Sequence, residues 1–320
     1  MQWRPFHWSW SMDCGVTRGQ RMTNRNGRKS IGRRSWWPTV VIIAAFALGG
    51  AAALTAGAPA GPRLAPAATV TAALPSGVPF TTLQFNLCNS GVASCYSRNN
   101  GRSVGEAAGI ISARHPDVVT LNEVCRTDVV TTLAATMAQA FPGQQTFAQF
   151  RAAGNRSAGG AAYKCKNGDD YGIGVLGRVP GGPVTTTVFS GLYPQQDTSS
   201  NEMRAWICVA AGNVYTACTT HLVSSSGTIA LQQCKQLMNT EVPAIRATVG
   251  TTVPVVVAGD LNLKYGGSPN AQSCVPSGWY RKGDGDVQHY LATADLVFKS
   301  SASVAMTYTD HVGWQVTAQP

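Results

Sequence analysis

Several features that would identify common classes of protein are missing from this sequence. None of its nine cysteines lies in a C-x-x-C pair, so a cysteine-ligated metal site is disfavoured and disulfides are favoured. No internal repeat occurs, which excludes a repeat array. There is also no stripe of aromatic residues of the kind that stacks the bases of single-stranded nucleic acid.

Acidic residues are scarce, and they are unevenly distributed. The 320 residues include 15 Asp and Glu against 25 Lys and Arg, for a formal net charge of +10. Residues 1–58 hold eight basic residues and one acidic residue, net +7, whereas residues 59–320 hold seventeen and fourteen, net +3. The basic excess therefore belongs mostly to the N-terminus, and it says little about what the folded part binds.

Residues 1–58 have the composition of a leader, in which a basic polar segment precedes a nearly uncharged apolar run at residues 39–58. With Ala-x-Ala-like sites at 57–60 and 65–67, this pattern predicts an export signal. Arg33-Arg34 weakly resembles a twin-arginine signal, and Met22 is an alternative start. An uncleaved membrane tether through residues 39–58 is the rival interpretation. Both place the chain from about residue 70 onward outside the cytoplasm, as a secreted or cell-surface protein.

Residues 59–77 are rich in Ala and Pro and are interpreted as a linker, which leaves residues 78–320 as one globular domain. Eight cysteines fall in this domain, and an even number in an exported domain predicts disulfides. Eight cysteines allow about 105 arrangements. Pairing close neighbours predicts Cys88–Cys95, Cys125–Cys165, Cys208–Cys218 and Cys234–Cys274.

Predicted strands dominate the domain, in two groups that each contain two helices. Residues 172–177 and 184–189 are predicted to be paired strands. A loop reaching about Gln288 is expected before two further strands, at 294–298 and 304–309. This count of elements predicts two sheets packed face to face with helices outside them.

The segment PVVVAGDLNL, at residues 254–263, is the starting point for predicting a functional site. Its consecutive valines predict a strand buried on both faces. Asp260 and Asn262 follow at a spacing of two, which points both side chains the same way on an extended backbone. A carboxylate at that edge is costly to desolvate unless a metal, a proton or a partner meets it. Other strand-like segments end near polar groups of catalytic type, namely Asn86, Glu123, Arg204, His221, and Asp310 with His311.

Each of these groups also has an ordinary interpretation as a turn former, a helix cap or an edge charge. Together, the carboxylates and amides suit a hard cation such as Mg²⁺, and the histidines and arginine suit an anionic substrate. Phosphoester hydrolysis needs this combination of a metal, a base for water and donors to the phosphate. His115 and His289 are expected to be structural.

In their order along the chain, LQFNL, LNEV, EMRAW, TTHL, VVVAGDLNL, ADLVF and YTDHVGW resemble the successive motifs of the endonuclease/exonuclease/phosphatase superfamily, the deoxyribonuclease-I-like fold. The resemblance covers roughly Phe80 to Trp314, and GDLN and TDH are its most specific parts. It implies an α/β fold, a four-layer α/β/β/α sandwich of two mainly antiparallel sheets with outer helices. Two departures are Thr309 where the family has Ser, and Gly177 in VLGR where it often has Ser.

Carried over residue by residue, the resemblance implies a metal site and a catalytic centre. Glu123 is similar to the main metal-binding glutamate, with Asn86 and Asp310 beside it. His311 is similar to the catalytic histidine, and Asp295 to its orienting carboxylate. The remaining implied roles are the water-placing pair Asp260 and Asn262, the phosphate-contacting His221 and Arg204, and an active-site tyrosine at Tyr171.

The resemblance implies a metal-dependent hydrolase of phosphoesters that uses Mg²⁺, with Mn²⁺ or Ca²⁺ as alternatives, and no organic cofactor. An exported, monomeric nuclease is the first hypothesis, because residues 151–170 hold four basic residues that suit a phosphate backbone; a solvated loop is the ordinary alternative. The second is a phosphodiesterase acting on a lipid head group, with membrane contact through residues 278–280. The third is an exported binding module that kept the fold but lost catalysis.

Overall fold

The computed structural model describes residues 73–96 and 101–320, so the predicted leader and most of the predicted linker lie outside the described residues. Within these described ranges, no helix is long and apolar enough to cross a membrane. Two six-stranded, mainly antiparallel sheets form the body of this part of the chain, and a third, small sheet lies among the connections.

The strands run through the three sheets out of sequence order. The first sheet has the spatial order β14 (Val297–Val304), β15 (Gly313–Gln319), β1 (Phe80–Asn86), β2 (Val118–Cys125), β6 (Tyr171–Val179) and β3 (Gln145–Ala152). The second has the order β12 (Trp279–Gly283), β13 (Gln288–Thr293), β11 (Val255–Asp260), β10 (Tyr215–Thr220), β9 (Ala205–Ala211) and β7 (Thr186–Leu192). The small sheet consists of β5 (Ala161–Ala162), β4 (Gly154–Asn155) and β8 (Glu202–Met203).

Helices cover the outer face of each large sheet. The first sheet carries α1 (Arg102–Arg114) and a π-helical turn (Asp128–Leu133) that continues into α2 (Ala134–Ala140). The second carries α3 (Gly227–Gln236), a π-helical turn (Leu237–Glu241) and α4 (Val242–Val249). Their buried side chains join the apolar residues on the outer faces of the strands. The layers are therefore α/β/β/α, as predicted.

The inner faces of the two sheets share a third apolar cluster, which includes Tyr215 from β10 and Phe80 from β1. The rings of these two residues meet edge to face with centroids 5.1 Å apart. The Tyr215 hydroxyl donates to the Arg178 carbonyl at 2.7 Å, so it lies against Gly177. A Cβ on Gly177 would lie 2.4 Å from that hydroxyl oxygen. Packing between the sheets therefore requires a glycine at this departure from the family pattern.

Each large sheet contains one parallel pair of strands within an otherwise antiparallel ladder. In the first sheet β1 runs parallel to β2, and in the second β10 runs parallel to β11. Parallel neighbours end at the same edge of a sheet, where ligand sites gather in layered α/β folds. The residues at the carboxyl ends of these four strands are therefore brought together.

All four predicted disulfides are formed, and each one fixes a connection. Cys88–Cys95 closes the loop after β1, and Cys208–Cys218 joins directly opposed residues of β9 and β10. Cys125–Cys165 links the end of β2 to the segment before β6, and Cys234–Cys274 links α3 to a short turn before β12. Four disulfides in one domain are compatible with an extracellular protein.

Two local predictions were wrong. Residues 172–177 and 184–189 do not pair, because they belong to β6 and β7 in different large sheets. The expected loop before Gln288 contains β12. One continuous strand, β14, takes the place of the two short strands expected at 294–298 and 304–309. Alternation of apolar residues indicates that a segment is extended, but it does not indicate the partner strand.

Candidate active site

Four residues at the ends of the two parallel strand pairs form the floor of the candidate site. Asn86 ends β1 and Asp260 ends β11, while Glu123 lies near the end of β2 and His221 directly follows β10. His221 forms a parallel bridge with Asp260, which continues the pairing of β10 with β11 beyond the end of β10. Each sheet thus contributes one carboxylate and one further polar side chain.

A single amide joins the two carboxylates. The Asn86 Nδ2 donates to Glu123 Oε1 at 3.1 Å and to Asp260 Oδ2 at 3.0 Å. Burial raises the pKa of Glu123, and it raises the pKa of Asp260 as well. Removing water disfavours the ionised form of each carboxyl, so this pocket favours a proton or a cation next to the pair. A cluster of carboxylate and amide oxygens is the donor set that hard divalent cations prefer.

The backbone is bent to aim these side chains. Glu123 has φ of 54° at an irregularity in the pairing of β2 with β6, between Leu121 and Val124. Asn262 and Cys88 also have positive φ, of 48° and 46°. Non-glycine residues in this region are uncommon and cost roughly 1–3 kcal/mol each, and they concentrate at functional sites. Three of the four such residues in the described part of the chain flank this one cluster.

Asp260 is held by one hydrogen bond to its side chain and one from its backbone amide. Its Oδ1 accepts from the Asn262 amide at 2.9 Å, and its own amide donates to Asn122 Oδ1 at 2.7 Å. The Asn262 side chain donates to the Leu222 carbonyl at 2.9 Å, so one of its two amide protons is committed to the fold. Asp260 Oδ2 is the oxygen that faces Asn86 and the histidines.

Two histidines complete the cluster. His221 Nε2 is 3.9 Å from both Glu123 Oε1 and Asp260 Oδ2. His311 Nε2 is 3.7 Å from Asp260 Oδ2 and 3.7 Å from Asp310 Oδ1. His221 is nearly enclosed, whereas the His311 side chain is 24% exposed and its neighbour Asp310 is 50% exposed. His311 is therefore the histidine that is open to an incoming water molecule or substrate.

Thr309 ties the loop of His311 to the first strand. Its hydroxyl donates to the Asn86 carbonyl at 2.8 Å, and it accepts from the His311 amide at 3.4 Å. The departure from Ser to Thr at this position therefore keeps the hydroxyl that anchors the loop.

The structure does not bring Asp295 to the site. Asp295 lies exposed in the turn between β13 and β14, and the prediction that it lies inside a strand next to His311 was wrong. Val297 of β14 pairs with Gln319, whereas Val304 at the other end pairs with Gly313, close to His311. The length of β14 therefore separates the turn from the histidine.

Gln288 occupies the position near the histidine loop instead. It is fully buried and pairs with Asp260 across the β11–β13 ladder. Its Nε2 donates to the carbonyl of Val312, next to His311, at 2.6 Å. The neutral side chain in this position carried no sequence signal, because glutamine in a strand is not a recognised catalytic pattern.

Arg204 and Tyr171 reach the site, together with a carboxylate that sequence reasoning missed. Arg204 Nη1 lies 2.7 Å from His221 Nδ1 and 2.8 Å from Glu202 Oε1. Tyr171 is buried, and burial raises the pKa of Glu202 against the opposing effects of Arg204 and the Tyr171 side chain. Glu202 precedes Arg204 by two residues in EMRAW, and that spacing on an extended segment was the available signal.

A buried polar network that the sequence did not reveal supports the floor of the site from below. Asn122 accepts at Oδ1 from the Asp260 amide and from Gln84 Nε2, both at 2.7 Å. Its own amide donates to the Thr220 carbonyl at 3.1 Å, and Gln84 accepts from the Thr120 hydroxyl. The network crosses from one sheet to the other within the apolar interior, so it sets the register between the two halves of the site.

A cavity of about 250 Å³ opens above this floor. The loop closed by Cys88–Cys95 contributes Ser90, Val92 and Ala93 to its lining, and Tyr163 and Ser224 line it as well. A second recess of about 160 Å³ shares Glu202, Arg204 and Ser224 with it and is lined by further residues that are mostly serines: Asp197, Ser199, Ser200, Val223 and Ser225.

Two of the four basic residues expected to bind a phosphate backbone have partners within the protein. Arg156 donates to the carbonyls of Ser200 and Asp197 at 3.1 and 2.7 Å, and Lys164 pairs with Asp170 at 2.5 Å. The proposed membrane-contacting residues Trp279 and Tyr280 lie in β12 and pack half-buried against the apolar cores. The geometry thus weakens the argument for nucleic acid from residues 151–170, and it removes residues 278–280 as a lipid-contacting loop.

His289 is structural, as predicted. It is buried, accepts at Nδ1 from Arg281 at 2.9 Å, and its Nε2 lies 2.7 Å from the Leu263 carbonyl. Burial lowers the pKa of His289 to about 4.

Comparisons with known proteins agree with this architecture. Residues 83–314 match the model of the Endonuclease/Exonuclease/phosphatase family. The human Nocturnin catalytic domain with bound sulfate anion superposes with a TM-score of 0.53 at 13% identity, covering 75% of this chain and 93% of that one. A mannosyl-6-phosphatase from Bacteroides thetaiotaomicron has a TM-score of 0.50 at 14% identity, covering 75% and 99%. At these identities the likeness concerns the fold alone, and no curated protein matches the chain in sequence.

Proposed function

Because the chain belongs to the endonuclease/exonuclease/phosphatase family, whose enzymes hydrolyse phosphoester bonds, we propose that it is a divalent-metal-dependent phosphodiesterase. The observation that supports this most is the Asn86 amide, which bridges carboxylates from two sheets at 3.1 and 3.0 Å. Two histidines and an arginine lie around that bridge. This arrangement offers acidic oxygens for a cation and nitrogen donors for an anion within one pocket.

Glu123, Asn86 and Asp310 are the residues that would hold the metal, and Mg²⁺ is the first choice, with Mn²⁺ or Ca²⁺ as alternatives. The buried oxygens of Glu123 and Asp260 fit such an ion because their raised pKa marks a site where negative charge lacks compensation. When bound, a divalent cation stabilises the charge that develops on a transferring phosphoryl group by several kcal/mol. The cysteines near Glu123 are excluded as ligands because Cys88 and Cys95 form a disulfide.

The protein groups divide into a base and a set of donors. His311 is the base that takes a proton from water, because it is the more open histidine and lies 3.7 Å from Asp260 Oδ2. Asp260, held at Oδ1 by the Asn262 amide, positions that water together with Asn262. His221 and Arg204 face the phosphate oxygens. General base catalysis by a positioned histidine is worth about 10²–10⁴-fold.

Nucleic acid is the first substrate class of this proposal, and the protein acts as an exported nuclease. Four disulfides support export. Arg151 and Lys166 are the basic residues of the 151–170 segment that support a phosphodiester backbone as substrate.

A second candidate is hydrolysis of a small ester with a hydroxylated alcohol group. The serine-lined recess of about 160 Å³ next to Arg204 favours it.

A substrate panel tests the proposal. Purified protein is incubated with plasmid DNA, RNA, sphingomyelin and a small chromogenic phosphodiester, each with Mg²⁺ or with EDTA. Cleavage of DNA or RNA with Mg²⁺ and none with EDTA is the expected result. Cleavage of the small ester alone would favour the second candidate. Absence of any hydrolysis under all metal conditions would leave a binding module of the same fold.

A further inference from the structure

The acid Glu202 lines the cavity of the candidate active site together with Arg204 and His221. It begins the short strand β8, and its side chain is 17% exposed. Arg204 Nη1 lies 2.8 Å from its Oε1, and Tyr171 lines the same cavity. Burial alone would disfavour both the Glu202 carboxylate and the Arg204 guanidinium. Both can stay charged here because each ion compensates the charge of the other.

The same nitrogen of Arg204 reaches an imidazole. Arg204 Nη1 is 2.7 Å from His221 Nδ1, and a guanidinium nitrogen has only protons to offer. His221 Nδ1 must therefore accept with its lone pair, and the single proton of a neutral imidazole lies on Nε2. The two hydrogens of Nη1 thus serve Glu202 and His221, which orients the guanidinium between them.

The free end of His221 points at the reacting centre. Its Nε2 is 3.9 Å from both Glu123 Oε1 and Asp260 Oδ2. An N–H directed into that space can donate to a phosphate oxygen or to a carboxylate. A histidine protonated on Nδ1 instead would present a lone pair to those acidic oxygens and repel them.

We propose that Glu202 is a positioning residue that holds Arg204 against His221 Nδ1, which fixes the His221 proton on Nε2, facing the phosphate site. The direction of the donated hydrogen bond rests on the proposed function; the fixed tautomer rests on the contacts of Glu202, Arg204 and His221. In this scheme His221 is a donor, and the role of base stays with His311. Burial, and then the proximity of Arg204, also lower the pKa of His221, which agrees with a neutral ring.

A second histidine of the protein is an internal reference. His289 Nδ1 also lies next to an arginine, with Arg281 Nη1 at 2.9 Å, and its Nε2 donates to the Leu263 carbonyl at 2.7 Å. Arg281 is held by the amide oxygen of Gln272 and by the ring of Tyr265, without a carboxylate partner in the described contacts. Removal of Glu202 should therefore change His221 and leave His289 unchanged.

The test is nuclear magnetic resonance of the full chain with ¹⁵N-labelled histidine in EDTA, combined with kinetics on a small chromogenic phosphodiester. His221→Gln identifies the His221 signals. In the wild type we expect one neutral tautomer with an unprotonated Nδ1. In Glu202→Gln we expect a mixture of tautomers and kcat lowered about 10–100-fold with little change in KM. Glu241→Gln makes the same change at a helix residue that accepts from Gln236 at 2.8 Å, and it should leave both measurements unchanged.

Two further variants keep the proposal testable if Glu202→Gln folds poorly. Glu202→Asp retains the charge and should restore the single tautomer and most of kcat. In an Arg204→Gln background, Glu202→Gln should lower kcat no further than about twofold, because Glu202 acts through Arg204. A single Nε2–H tautomer with kcat near wild type in Glu202→Gln would overturn the proposal. If the wild type hydrolyses neither this ester nor the DNA and RNA of the substrate panel, the proposed function fails, while the tautomer measurement still decides the role of Glu202.

Discussion

Asn86 Nδ2 lies 3.0 Å from Asp260 Oδ2, so the last residue of a strand in one sheet is hydrogen-bonded to the last residue of a strand in the other. The same nitrogen donates to Glu123 at 3.1 Å. One neutral amide therefore separates two buried carboxylates. Replacing Asn86 tests whether a cation offsets the negative charge of Glu123 and Asp260.

Asn86→Asp keeps the size of the side chain but removes the two donated hydrogen bonds and adds a third carboxylate. We expect the metal-free protein to unfold at a lower temperature, because like charges in a buried site repel. Mg²⁺ should restore more stability to the variant than to the wild type, by binding to the folded state. Thermal melts in EDTA and over a Mg²⁺ titration measure this.

Asn213→Asp, in the exposed turn between β9 and β10, is the matched control and should melt like the wild type in both conditions. Equal Mg²⁺ responses of Asn86→Asp and the wild type would contradict a cation site at this pair.

His311→Gln should lower turnover about 10²–10⁴-fold, because the variant has no base for water. Glu123→Gln should lower it steeply as well, and should raise the Mg²⁺ concentration that gives half-maximal rate. Steady-state kinetics over Mg²⁺ concentration separate the two effects. Circular dichroism should show that both variants remain folded.

His115→Gln is the control for His311→Gln, because His115 is exposed at the end of α1 and should keep the full rate. A His311 variant that retains near-normal turnover would remove the histidine from the mechanism.

Asn122→Leu should destabilise the protein by about 3 kcal/mol. The substitution leaves the buried Asp260 amide and Gln84 side chain without their shared acceptor, and each unsatisfied buried group costs roughly 1–3 kcal/mol. Urea unfolding measures the loss as a lower midpoint with an unchanged slope. A loss below about 0.5 kcal/mol would mean that the network between the sheets contributes little.

Acid should destabilise the protein through His289. Its pKa is about 4 in the folded protein, against an ordinary value of 6.5, so the folded state binds fewer protons than the unfolded state between these limits. This contribution is complete above pH 6.5 and is lost as the pH falls toward 4, with roughly 2 kcal/mol gone at pH 5.

His289→Gln keeps a donor for the Leu263 carbonyl but has no such protonation step. The stability of the variant should therefore fall less than that of the wild type between pH 7 and pH 5. Chemical denaturation at several pH values gives both curves, and parallel curves would contradict the contribution of His289.

Short motifs predicted the fold and most of the cluster because they combine strand ends with chemically demanding residues. GDLN follows three valines, so both the buried strand and the polar pair at its end are local properties. The same holds for Glu123 after VVTLN and for His221 after YTACTT. The disulfides were predictable because neighbouring cysteines lie on either side of single connections.

The wrong predictions for Asp295 and for strands β6 and β7 have a different cause. Asp295 lies before an apolar segment much as the other acids lie after one, yet the turn between β13 and β14 lies at the opposite end of β14 from His311. Periodicity does not state which end of a strand approaches which neighbour, and β6 and β7 were assigned to one sheet for the same reason.

By itself, the amino-acid sequence determined the family, the layered α/β architecture and the chemical types that meet at the strand ends, because these follow from local hydrophobic spacing and from the residues next to it. Only the tertiary structure decided that Asn86 bridges Glu123 and Asp260 and that Gln288 rather than Asp295 stands near His311. Those contacts join residues far apart in the chain, and their distances depend on how two separately formed sheets register against each other.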